Sequence, residues 1–333
     1  MPETERVAIV TGAAGGIGRS MVRGLLATGI RVAGVDRDRE PLEVLAADAR
    51  EQGKAAELMT IATDLTDDSA VDAITKATRG KFGRIDILVN NAGIGPGAIR
   101  PDSWQRPLKF WEITPDQWRR FVAVHTTAPL ALTNAVVPET MRQGWGRIIN
   151  VTTSLGTMLN AGSPTYGPSK AALEALSAIM AKELDGTGVT VNVLVPGGAT
   201  NTPMISDGAG FDRAKLIQPD VMVPPLLWLV SDAAGKVTGR RFLGVPWNPK
   251  LTPEEAAEKA GAPVAWTSIA TMPITPSRLL RRAFIFHVPL RPALVRALIS
   301  TLPGDSPTRG LDGAPGDQTT SEDATPTGVR PSC

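Results

Sequence analysis

The chain has almost no thiol and almost no imidazole. Its one cysteine is Cys333, so no disulfide forms within the chain and no cysteine cluster can hold a metal. A chain without disulfides suits a reducing compartment, and a cytoplasmic location is the expectation. The two histidines, His125 and His287, lie far apart in sequence, and no metal centre is expected. Net charge is also nearly absent, with 35 basic residues against 33 acidic ones. Nothing global then points to nucleic acid or to an acidic partner. Nor is there a long apolar run. No window approaches the ~20 apolar residues of a spanning helix, so no integral membrane segment is expected. The apolar stretch 221–230 is short and is interrupted by Pro224 and Pro225. The first residues, MPETERVAIV, carry acidic side chains where a secretory signal carries basic ones.

What is present is a regular alternation. The 333 residues are 42% hydrophobic, enough for a full core. Residues 6–11 (RVAIVT) form a β-branched run that stops at Gly12 and reads as a buried strand. Residues 18–29 then place Met21, Val22, Leu25 and Leu26 at helical spacing. Further strands are predicted at 31–36, within 55–64, and at 85–90, 146–152 and 189–195. Helices are predicted between them at 41–52, 69–80, 118–141 and 165–184. Strands alternating with helices make βαβ units. The expected fold class is therefore α/β, a doubly wound parallel sheet of the Rossmann type. Right-handed crossovers put ligand chemistry at the carboxyl ends of its strands.

The expected organisation is a single domain over 1–250, a partly helical C-terminal extension over 251–302 and a disordered tail over 303–333. The tail is Pro, Gly, Ser, Thr and Asp with almost no large apolar residue, too little to offset its ordering entropy. The stretch 277–300 is apolar but carries Arg278, Arg281, Arg282, Arg291 and Arg296. It has two readings: an amphipathic segment on a membrane or acidic surface, or an exposed helix packed on the domain or a neighbouring subunit.

The segment Thr11-Gly12-Ala13-Ala14-Gly15-Gly16-Ile17-Gly18 sits between the first strand and the first helix. Glycines there allow a tight turn and a close backbone approach to a pyrophosphate, and the helix N-terminus presents free N–H groups. Asp36 ends the second strand. A carboxylate there binds ribose hydroxyls and repels a 2′-phosphate, which favours NAD. Arg37 and Arg39 leave NADP open, since a guanidinium could hold that phosphate. Asp64-Leu65 follows the third strand, where the acid could meet an adenine amino group or cap the next helix.

Three motifs then stand in order: T-G-x-x-x-G-x-G at the N-terminus, Asn90-Asn91-Ala92-Gly93, and Tyr166-x-x-x-Lys170. Over about residues 5–245 the chain resembles the short-chain dehydrogenase/reductase family. The resemblance implies an NAD(P)-dependent oxidoreductase interconverting a secondary alcohol and a ketone. It also implies that Asn91, Ala92 and Gly93 line the cofactor site. The backbone at Pro196 and Gly197 and the Thr202 hydroxyl would meet the nicotinamide carboxamide, with Thr200 as a competitor. A homodimer or homotetramer is implied by the resemblance as well.

An isolated phenol has a pKa near 10 and is a poor base at neutral pH. Lys170 lies one turn beyond Tyr166 on the same helical face, where its ammonium favours the phenolate. Pro168 between them is tolerated in a first turn, so the helix is expected to start close to Tyr166. The family's catalytic serine falls on Thr153, with Ser154 next to it as a second candidate. A threonine hydroxyl can still donate to a substrate oxygen. The family's asparagine falls on His125, which is expected in the proton path. It could carry a proton or be a packed residue with no special role.

Substrate choice is expected from 95–118, 155–163 and 203–219, the last as a flexible lid. Trp104, Phe110, Trp111 and Trp118 make apolar walls that favour an apolar or cyclic substrate. Two other readings stand beside the main one. They are an NADPH-dependent 3-oxoacyl-thioester reductase and a nucleotide-binding sensor or scaffold with impaired catalysis.

Overall fold

The computed structural model describes residues 6–267, which lie in the first of the two units into which the chain divides, Met1–Thr271. The arginine-studded stretch, the disordered tail and His287 lie outside the described residues.

Strand β1 (Val7–Thr11) is buried at every position, as a strand covered on both faces must be. Val7 and Ile9 face one core with Ile74, Leu132 and Val136; Ala8 and Val10 face the other with Met21, Leu25 and Leu226. This two-residue alternation is the pleat of the strand feeding both layers. Helix α1 (Gly16–Ala27) buries Met21, Val22, Leu25 and Leu26, the residues at helical spacing. Next come β2 (Arg31–Asp36), α2 (Arg39–Glu51), β3 (Leu58–Ala62), α3 (Ala70–Phe82) and β4 (Ile87–Asn90). Strand β1 pairs with β2 on one side and β4 on the other, both parallel. The strand order reverses there, so a crevice opens at the carboxyl ends of β1 and β4.

The predicted long helix is three pieces: α4 (Pro115–Val122), a π-helical turn (Ala123–Thr127) and α5 (Ala128–Gln143). By length and composition this run could cross a bilayer. Leu132 and Val136 instead pack on β1 and β2. Beyond it lie β5 (Gly146–Val151), α6 (Leu155–Met158), α7 (Tyr166–Glu183), β6 (Val189–Val195), α8 (Val223–Leu229) and β7 (Arg240–Leu243). Pro224 and Pro225 do not interrupt the apolar stretch. They fall in the first turn of α8, where a missing N–H leaves no bond unmade.

The sheet continues past residue 250, where the domain was expected to end. Thr252 and Glu255 form a capping box that starts α9 (Pro253–Ala260). Strand β8 (Gly261–Pro263) then pairs antiparallel with β7. The sheet has eight strands in the order β3-β2-β1-β4-β5-β6-β7-β8, all parallel but the last. These short elements have no periodicity long enough to read, and β8 exists because β7 offers it an edge.

Candidate active site

The glycine loop closes the carboxyl end of β1. Gly12 adopts φ +65°, and a Cβ there would lie 2.9 Å from Asn91 Nδ2 and from Ala92 Cα. A Cβ on Gly18 would fall 1.9 Å from the Gly12 carbonyl oxygen. Side chains are thus excluded from both sides of the turn. Gly15 stands at the start of α1, and no side chain caps that helix. Its first N–H groups, at Gly16 and Ile17, remain available to an anion. Asn91 braces the loop: its Nδ2 donates to the carbonyls of Thr11 at 2.9 Å and Gly12 at 3.1 Å. The backbone N–H groups of Asn91 and Ala92 both donate to the Thr11 hydroxyl at 3.0 Å. A glycine cradle that side chains would fill, under an uncapped helix, fits a dinucleotide.

Around this cradle the expected residues separate. Asp36 accepts from the Ala14 N–H at 3.0 Å and from the Arg37 N–H at 2.8 Å. Its carboxylate therefore orients the glycine loop from the end of β2. The Arg37 guanidinium grips Asp38 with two bonds of 3.1 Å. Asp64 accepts on Oδ1 from the Thr66 N–H at 2.9 Å and hydroxyl at 2.8 Å, which closes a turn through one of its two carboxylate oxygens. Those bonds and nearby Arg37 and Arg120 hold its carboxyl below the usual range, against the cost of burial. Leu65 packs against the core beneath. On the far side, a Cβ on Gly16 would come 3.0 Å from Thr202 Cγ2, so Thr202 lies directly over the start of α1. The Thr200 hydroxyl is engaged by the Gly198 carbonyl at 3.0 Å. Gly197, after Pro196, turns the chain at φ +113°.

The catalytic candidates meet where α7 begins. Tyr166 is its first residue and Pro168 lies in its first turn, as the sequence predicts. Burial pushes the phenol above its ordinary pKa, and a hydrogen bond with the Thr153 side chain pulls it down. Ser154 is occupied elsewhere: its hydroxyl caps α6, accepting from the Thr157 N–H at 3.1 Å. Lys170 is 3% exposed and donates from Nζ to the Val151 carbonyl at 2.8 Å. Burial alone lowers its pKa to about 8. The sequence suggests that the ammonium lowers the phenol pKa directly. Here it is turned to the end of β5, and Thr153 is the group that favours the phenolate.

His125 sits on the π-helical turn, fully buried, with its ring edge-on to Tyr166 at 5.4 Å. Its Nε2 accepts from the Ile94 N–H at 3.0 Å, and its Nδ1 lies 2.8 Å from the Ser169 hydroxyl. An N–H donor at Nε2 leaves the proton on Nδ1 in the neutral ring, so Nδ1–H donates to Ser169. Ser169 in turn donates to the Tyr166 carbonyl at 3.0 Å. Burial, with the Lys170 charge adding to it, holds the imidazole well below its ordinary pKa. Both nitrogens are taken, so the ring is a neutral brace. The carrying of a proton by this imidazole finds no free nitrogen. Gly93 permits the packing: a Cβ there would lie 3.1 Å from His125 Nε2 and 3.6 Å from Lys170 Nζ. Ser169 has a signal in the sequence, since it lies inside the Tyr166-x-x-x-Lys170 motif.

The three substrate segments converge. Trp104 stacks edge-on against Phe211 at 5.0 Å, and Gln105 Nε2 donates to the Gly208 carbonyl. Gly162 faces Pro107, and Gly95 faces Met204, each so closely that a Cβ would clash. Phe110 is 74% exposed and Trp111 70%, so this wall has apolar surface to offer. The expected lid is braced by Arg213, which the sequence reading missed. Its guanidinium donates to Asn201 Oδ1 at 2.9 Å, to the Ile205 carbonyl at 2.7 Å and to Asp207.

The family model for short chain dehydrogenases matches residues 6–209. The chain is 30% identical over 242 residues to the 3-oxoacyl-(acyl-carrier-protein) reductase FabG of Salmonella typhimurium, covering 70% of this chain and 93% of the relative. It is 31% identical over 245 residues to the Synechocystis 3-oxoacyl-(acyl-carrier-protein) reductase, covering 72% and 95%. Among solved structures, a Beutenbergia cavernae protein assigned as an NAD(P)-dependent gluconate 5-dehydrogenase, with NADP bound at low occupancy, aligns with TM-score 0.62 at 28% identity. That alignment covers 72% of this chain and 94% of the other. The Brucella melitensis 3-ketoacyl-(acyl-carrier-protein) reductase in complex with NADH aligns with the same score at 27% identity, covering 72% and 95%. Motifs, sheet order and these matches agree: the chain belongs to the short-chain dehydrogenase/reductase family and is an NAD(P)-dependent oxidoreductase.

Proposed function

We propose that the protein interconverts an apolar secondary alcohol and its ketone with NAD as cofactor, using Tyr166 as the general acid and base. The observation that carries this reading is the meeting of Tyr166, Thr153 and Lys170 at the carboxyl edge of the sheet, beside the glycine cradle. In oxidation, Tyr166 as phenolate takes the hydroxyl proton. Thr153 holds the reacting oxygen by hydrogen bonding. Lys170, anchored on the Val151 carbonyl at the end of β5, holds the ribose next to the nicotinamide. His125 stays neutral and fixes the Ile94 backbone and the start of α7. Ser154 serves as the α6 cap and is assigned no part in proton transfer. The nicotinamide, when bound, takes up or supplies the hydride.

Asp36 and the Asp38-bound Arg37 favour NAD over NADP, since the carboxylate repels a 2′-phosphate and the guanidinium is already paired. Backbone at Asn91, Ala92, Gly93, Pro196 and Gly197, with the Asp64 carboxylate and the Thr202 hydroxyl, would complete the cofactor site. The protein works in the cytoplasm as a homodimer or homotetramer.

The 3-oxoacyl-thioester reductase reading rests on the relatives of about 30% identity. A panel of apolar alcohols and ketones, polyols and acyl thioesters, each with NAD and NADP, separates the readings. Turnover of apolar alcohols with NAD is the expected result. Preference for acyl thioesters with NADPH would replace it. NADH binding with no turnover of any compound would leave the sensor reading.

A further inference from the structure

Two turns beyond Tyr166 on α7, Glu174 is sealed from solvent at 0% exposure. A buried carboxylate persists when charge and hydrogen bonds offset its lost hydration. Oε1 of Glu174 accepts from Arg241 Nε at 3.0 Å and from the Ala265 N–H at 2.9 Å, and Oε2 accepts from the Thr152 hydroxyl at 2.7 Å. Arg241, on β7 and 6% exposed, donates its second arm to the Thr153 carbonyl at 3.0 Å. The Thr153 side chain returns to the Tyr166 phenol. The contacts form a closed circuit from α7 through β7 to the end of β5 and back to α7.

Thr153 needs such support. Strand β5 ends at Val151, so Thr153 lies beyond the ladder that would otherwise fix it. A buried ion pair is a weak stabiliser in its own right, and apolar replacements of similar shape are often neutral. Its placement here is specific: one partner grips the side chain of Thr152 and the other the backbone of Thr153. Ala265 is the one non-glycine residue with positive φ among the described residues, at 57°, a costly conformation for an L residue. Its N–H is turned onto Glu174, so the chain after β8 also serves this carboxylate.

We propose that Glu174 and Arg241 are positioning residues for the reaction, a buried pair that fixes Thr153 against Tyr166. The proposal rests on the role given above to Thr153. Arg241→Lys keeps a charge for Glu174 but gives up the fork that reaches Thr153. Glu174→Gln with Arg241→Met removes both charges together and avoids a lone buried ion. Tyr166 is the chain's only tyrosine, so tyrosinate absorbance titrates that phenol alone. Lys170 and His125, the other titratable groups beside it, are untouched in both variants.

In each variant the tyrosinate midpoint should move up and kcat for the best alcohol of the panel should fall about tenfold to a hundredfold. The NADH dissociation constant should stay within about twofold, less than the ~1.4 kcal/mol of a tenfold change. In a Thr153→Ala background the same changes should move neither kcat nor the midpoint, because residues acting through one another are not additive. Equal losses in both backgrounds, or no loss in the parent, would overturn the proposal. A Thr153→Ala variant with full turnover would instead remove Thr153 from the mechanism, while the tyrosinate midpoint still reports whether the pair holds it.

Discussion

At the scale of single residues, Lys170 shows the cost of keeping a charge at the site. Its pKa is about 8 in the folded chain, against an ordinary value of 10.5. Below about pH 8 both states are protonated and the native state carries the whole burial cost. Between about 8 and 10.5 the native state has lost the proton and the unfolded state retains it, so stability rises with pH across that window. Lys170→Met removes this cost. The variant should be more stable than the parent by up to about 3 kcal/mol near pH 7. The gap should close above about pH 10.5, read by urea unfolding at the two pH values. A gap that is the same at both would mean that the ammonium is not desolvated.

Asp36 lends itself to a second test. Asp36→Ala removes the repulsion of a 2′-phosphate but also releases the Ala14 N–H. The ratio of kcat/KM for NADP over NAD should rise by about tenfold or more, with total activity reduced. An unchanged ratio would place cofactor choice elsewhere. The sequence made Asp36 visible because a carboxylate after β2 has one obvious use. It left Thr153 and Ser154 unresolved, since adjacent hydroxyls look alike until one becomes a helix cap.

At the scale of elements, the regular strands and helices of the first half were legible because their apolar periodicity runs for many residues. Met21, Val22, Leu25 and Leu26 announce α1, and Pro168 announces where α7 starts. The π-helical turn at His125 had no such sign. Its extra residue is accommodated by packing against Ile94 and Ser169, which come from other parts of the chain. The Glu174–Arg241 pair was equally silent, its partners being 67 residues apart. The lid brace is of the same kind. Arg213→Ala should untie Asn201 and Ile205 and raise the substrate KM about tenfold with a smaller change in kcat, measured by steady-state kinetics. Equal KM values would mean that Arg213 is only a surface ion pair with Asp207.

At the scale of the whole molecule, the fold places two sites at one edge. On the proposed reading, the crevice between β1 and β4 would receive the cofactor and the aromatic segments beyond it would line the substrate site. The catalytic end depends on parts distant in sequence, with β8 paired on β7 and Ala265 beyond it reaching back to Glu174 on α7. The family match ends at residue 209, and the support for Thr153 comes from Arg241 and Ala265 beyond it.

The most direct test of the account is turnover by a Tyr166→Phe variant with NAD and the best alcohol of the panel, alongside NADH binding. The expected result is a fall in kcat of about a hundredfold to ten-thousandfold with the NADH dissociation constant unchanged, the range for a lost general acid or base. Undiminished turnover would contradict the account, because no other phenol in this chain could move the proton.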